Sequence, residues 1–175
     1  MMWKHYCKIG HDTLVANLHN WKQQEYRRPI TRLWYVCVHA SGLPNPNPPL
    51  ISEQALRDKE KGLPISDDHC YAPEKRCYMI MDNPDKYLFD YNIFENLFFE
   101  STRTIKVSKE ENKLLSQLNN VPVHQRYAHL GIILRERKEG NNRWTWDNTI
   151  PYENNVLEQM EDFIEYERIN ILPTE

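Results

Sequence analysis

The stretch ISDDHCYAPEKRC sets three groups that can do chemistry side by side: Asp67, Asp68 and His69. A carboxylate is a hard oxygen ligand for a divalent cation. A histidine titrates near neutral pH and can take a proton from water. The same residues also suit a plain polar turn, in which an aspartate caps backbone N–H groups. The residues that follow give the frame. Ser66–Tyr71 reads as a short strand, the segment around Pro73 as a turn, and Cys77–Met81 as a second strand by composition. Asp82 or Asn83 then caps a helix with Pro84 at its first position, where the missing N–H costs least. On that helix Asn92 and Asn96 lie four apart and share a face, while Leu88, Tyr91, Phe94, Leu97 and Phe98 pack inward.

The order strand, turn, strand, helix over 65–99 resembles the ββα-metal finger of HNH and His-Me nucleases, and NIFENL resembles the short Asn-containing segment such fingers carry. The resemblance implies a metal-dependent DNA endonuclease. It makes Asp68 a Mg²⁺ ligand and His69 the general base, with Asn92 or Asn96 completing the metal site from the helix. A hard cation can be held by one carboxylate, one amide oxygen and waters, and would stabilise charge on the phosphate and the leaving oxygen. Lys75, Arg76 and Arg103 would hold the DNA backbone by charge. With ITRLWYVCVHASGLP leading to DDHCYAP, the chain also resembles small phage-borne proteins, some of them homing-endonuclease-like. A second expectation is a non-enzymatic phage or host interaction protein that binds a host protein; the acidic C-terminal end and the absence of a complete catalytic motif point to it.

Composition narrows the field. With 175 residues, 40% hydrophobic and 27% charged, the chain has the balance of one globular domain, 1–175, and not of a disordered one. Five glycines and no GxGxxG or GxxxxGK[ST] pattern leave nucleotide binding without support. No apolar run is long enough for a membrane span, and the N-terminal MMWKHYCKIGHD lacks a signal-peptide core, so a cytoplasmic protein with free thiols is expected. The net charge of −3 is uneven. From Pro151 onward seven acids face only Arg168, so a mildly basic body, 1–150, precedes an acidic helix over about 152–170.

The remaining elements must position these groups. Asp12 to about Arg28 reads as an amphipathic helix that Pro29 stops, and Thr31–Ala40 as a buried strand. Ser52 caps a short helix that Gly62 ends, and Ser101–Val107 is a strand candidate. Ser108 and Glu111 form a capping box for a helix reaching about Leu118. A hairpin turning near Gly140 follows, with Trp144 and Trp146 on one face. The fold expected is α+β, a small, mostly antiparallel sheet with several flanking helices. Three further sets of residues have chemical potential. His5, Cys7, His11 and His19 are zinc-ligand types at a spacing that matches no zinc module. Cys37 and His39 would share a strand face. The basic runs KQQEYRRPITR and RERKEGNNR suit either phosphate or solvent.

Overall fold

A computed structural model describes residues 2–42, 50–69, 72–102, 104–118, 121 and 125–136. In chain order the elements are α1 (Met2–Ala16), α2 (Leu18–Trp21), α3 (Gln24–Ala40), β1 (Leu50–Ser52), α4 (Glu53–Glu60), β2 (Ile65–His69) and α5 (Pro73–Asp82). Then come α6 (Pro84–Tyr87), α7 (Tyr91–Ser101), β3 (Thr104–Ser108), α8 (Lys109–Gln117), α9 (Arg126–His129) and β4 (Leu134–Glu136). The fold is α+β, with a four-stranded mixed sheet and several helices. The chain gathers into two units: Met1–Pro46 with Tyr71–Arg103, and Asn47–Cys70 with Thr104–Glu175. The proposed hairpin, Trp144, Trp146 and the acidic segment 152–170 lie outside the described residues, as do Cys70 and Arg103.

The described residues of the first unit are helical. Its centre is α3, against which α1 and α5 pack. Thr31–Ala40 is therefore helix and not strand. Its β-branched and aromatic composition suits either state, but Ile30, Trp34, Cys37 and Val38 are the buried positions, and that is helical spacing. Pro29 lies inside α3 and does not stop it. A proline there removes one helical hydrogen bond and costs about 3 kcal/mol; burial of the apolar face offsets it. Trp34 is fully buried, meets Phe94 and Phe98 edge-on at 5.6 and 5.5 Å, and donates its indole N–H to the Pro73 carbonyl at 2.8 Å. Trp21 does the same with Asp82 Oδ1 at 2.7 Å. Gly10 sits where α1 crosses α3: a Cβ there would meet Phe98, Cys37 and Trp34 at 3.5–3.7 Å.

Cys77–Met81 is also helix, the second half of α5, so the strand pair needed for a ββα finger over 65–99 does not form. Pro73, Arg76, Cys77, Ile80 and Met81 are buried at helical spacing, and Met79 beside them is buried too, so neighbours cover most of the helix. Pro73 takes the first helical position. The helix carrying Asn92 and Asn96 begins later than expected: Asp90 caps α7, accepting from the Asn92 and Ile93 N–H groups at 2.9 and 3.3 Å.

The second unit holds the sheet, in the order β2-β3-β1-β4. β2 runs antiparallel to β3, β3 parallel to β1, and β1 antiparallel to β4. Ser52 caps α4 and accepts from the Ala55 N–H at 3.0 Å, and Gly62, at φ +71°, supplies the left-handed turn after that helix. The capping box of α8 is complete: the Glu111 N–H donates to Ser108 Oγ at 3.0 Å, and the Glu111 carboxylate accepts from the Ser108 N–H at 2.8 Å. That carboxylate also accepts the Ser52 hydroxyl, so one acid ties the start of two helices together. Paired residues across a sheet share a face. Ile51 and Ile65 thus share the face covered by α4, where they pack with Ala55 and Leu56. Asp68 and Ile105 share the other face, which α8 and α9 cover through Glu111 and Tyr127.

Candidate functional site

Asp67, Asp68 and His69 lie on β2 and not in a turn. Their partners across the ladder are Lys106, Ile105 and Thr104. Among the described residues β2 lies at the edge of the sheet, and His69 is its last residue. Side chains alternate along a strand, so the two aspartates face opposite ways. Asp67 is exposed and its Oδ1 lies 2.9 Å from Lys106 Nζ, an ion pair in open solvent that contributes little stability. Asp68 is turned to the face of α8 and α9, where Tyr127 donates its hydroxyl hydrogen to Oδ2. Burial pushes the Asp68 carboxyl above its ordinary range; the Tyr127 hydrogen bond and the nearby Arg126 charge oppose that rise. Arg126 is itself held by the Leu115 carbonyl at the end of α8.

The other sequence-chosen residues fall in the first unit. Asn92 and Asn96 are exposed on α7. Lys75 is half-buried on α5, while Arg76 is buried at 3% exposure, which takes its guanidinium out of reach of a DNA backbone at the surface. Of the zinc-ligand types, Cys7 is buried and accepts the Tyr91 hydroxyl at 3.8 Å, and burial pushes its thiol up to about 11. His11 Nε2–H donates to the Leu88 carbonyl at 3.0 Å, with the ring against Tyr91 and Phe94. Both are structural in these surroundings. Cys37 and His39 share no strand face, because the segment is helix: Cys37 is buried and His39 exposed, its ring 4.2 Å from that of Tyr35.

Three residues of the second unit were not singled out from sequence. Lys106 was legible in principle, since alternation in TIKV places it outward. Tyr127 carried no signal; it reaches Asp68 from 59 positions away. Asn112, half-buried on α8, stands next to the capping-box acid, and its helix, not α7, follows a strand paired with β2. Among the described residues no group of three or more His, Cys, Asp and Glu side chains is placed to hold a metal ion. A cation here would rely on one carboxylate, an amide oxygen and waters, a set that suits Mg²⁺. No protein family, curated protein or solved structure matches the chain.

Proposed function

We propose that the chain is a metal-dependent endonuclease that hydrolyses DNA phosphodiester bonds at the His69 end of β2. One observation carries the reading. The second unit builds a strand–strand–helix order, β2–β3–α8, from segments far apart in sequence, with Asp68 on the side that the helix covers. This order is similar to that of a ββα finger and supports the reading, although it is built from other segments than 65–99.

In this reading Asp68 and Asn112 supply the oxygens for a hard divalent cation, and Asn112 takes the part first given to Asn92 or Asn96. When bound, the cation supplies positive charge for the leaving oxygen. His69 accepts the proton of the attacking water. An in-line displacement wants its proton acceptor and its leaving-group charge on opposite sides of phosphorus. Lys106, on the His69 face, offsets charge on the phosphate once Asp67 releases it. Tyr127 orients Asp68, and burial makes that carboxyl reluctant to ionise without a cation beside it.

The test is plasmid nicking with Mg²⁺ or Mn²⁺. Wild type nicks; His69→Ala loses at least about 100-fold in rate, the usual scale for losing a proton-transfer group; Asn112→Ala loses activity that added Mg²⁺ partly restores, as for a lost metal ligand; Asn92→Ala and Asn96→Ala retain activity. No nicking with either metal overturns the function. Full activity in Asn112→Ala with loss in Asn92→Ala restores the original ligand and overturns the frame.

A further inference from the structure

The basic run KQQEYRRPITR forms the start of α3, and it divides the work among its arginines. Arg27 is structural: its Nε–H donates to the Trp21 carbonyl at 3.0 Å, and its guanidinium lies over the Trp21 ring. Arg28 and Arg32 are exposed, four positions apart and so on one side of the helix. Both line an open groove of about 750 Å³ with Pro29, Thr31, Tyr35 and Glu74. Among the described residues neither guanidinium is held by a carboxylate. Arg32 is nevertheless pre-placed, its guanidinium carbon 5.9 Å from the Tyr35 ring centroid, and that ring rests on His39. The Thr31 hydroxyl donates to the Arg28 carbonyl at 2.9 Å, so it is spent on the helix.

We propose that this groove binds the phosphodiester backbone of duplex DNA through Arg28 and Arg32. Successive turns of α3 put the Cα atoms of Arg28 and Arg32 about 6 Å apart along the axis, so the two guanidiniums can reach neighbouring phosphates of one strand. Guanidinium forks match phosphate oxygens better than ammonium groups do. Glu74 in the wall disfavours a compact cluster of negative charge such as a nucleotide polyphosphate. A linear polyanion can pass the two arginines and avoid it. The inference deepens the nuclease reading and rests on it for the choice of DNA over an acidic protein.

The experiment is fluorescence anisotropy with a short labelled duplex in EDTA, where no cleavage occurs, over a series of NaCl concentrations. Arg28→Gln/Arg32→Gln should lower the slope of log K against log salt by about 1.8, the loss of two phosphate contacts. Arg28→Lys/Arg32→Lys should keep most of that slope, because the charges remain. Glu74→Gln should bind more tightly than wild type. These positions are exposed, and matching far-UV circular dichroism confirms that the variants fold. An unchanged slope in the glutamine variant overturns the groove. So does polyglutamate that competes as well as DNA at equal charge, which would make the groove a site for an acidic protein. A wild type with no affinity for the duplex overturns the groove and the nuclease reading together. A chain that binds through the groove but never nicks in Mg²⁺ overturns the nuclease reading alone.

Discussion

The two units hold themselves together by different means. In the first, Trp34, Phe94, Phe98, Leu14 and Leu88 are buried entirely, and the polar edges of Trp34, Trp21 and His11 each find one carbonyl or carboxylate. Apolar burial carries that unit, and its buried cysteines are turned away from reactivity. The second unit has strands of three to five residues and a smaller apolar cluster. Its interior is apolar too, through Ile51, Ile105, Val107 and Leu115, but its buried polar groups are tied together: Ser52 and Ser108 are fully buried, and a single Glu111 carboxylate serves both. Buried polar groups are costly unless every one is paired. Asp68, set into such a frame and bonded to Tyr127, is held in a defined direction, as a carboxylate that does chemistry would need to be. The second unit is therefore the place to look for chemistry, and the first the place to look for a surface that holds a partner.

The contrast predicts unequal responses to mutation. Trp34→Ala should be the most damaging, losing about 3–5 kcal/mol through the cavity left in the aromatic core, with the Pro73 carbonyl left unpaired. Native-state hydrogen exchange reads the effect: amides of α3 and α5 should lose protection first. If the amides of β3 lose as much, the two units unfold together and the contrast is not an energetic one.

Glu111→Ala comes next. It removes a charged acceptor from two buried donors and should cost about 2–3 kcal/mol, seen in urea melts and as lost protection at the start of α8. Glu111→Gln should recover part of this, because an amide oxygen can still accept from Ser108. An alanine variant as stable as wild type would show that the second unit does not depend on its polar frame.

The smallest effect is a pH dependence at Asp68. Its folded carboxyl sits above the ordinary value of 3.8, chiefly through burial. The folded state therefore holds the proton more tightly than the unfolded chain does. Stability from this group is greatest in acid, falls as pH rises from about 3.8 through the raised folded value, and is level above it. Asp68→Asn should flatten that step in melts across acidic pH. Tyr127→Phe should widen it, since the lost hydrogen bond had favoured the charged form. A step that survives Asp68→Asn belongs to another acid.

Local chemistry made parts of the second unit legible. Ser52, Gly62 and the Ser108–Glu111 box act within one turn of chain, so their residue types announce them. The strand candidate Ser101–Val107 was displaced only at its ends, to Thr104–Ser108. In the first unit composition misled. CYMIM and TRLWYVCVHA carry the branched and aromatic residues of a strand, yet both are helix, because such a composition suits either state and only the spacing of the covered positions separates them.

By itself the sequence determined an α+β chain and the caps of α4 and α8, since capping and turn chemistry are local, and it left Asp67, Asp68 and His69 between strand and turn. Tertiary structure decided which strand pairs with that one, which helix lies against it, which aspartate faces Tyr127 and which arginines line a groove. Those outcomes depend on contacts between distant segments, whose closure is favoured only once the whole unit buries its surface.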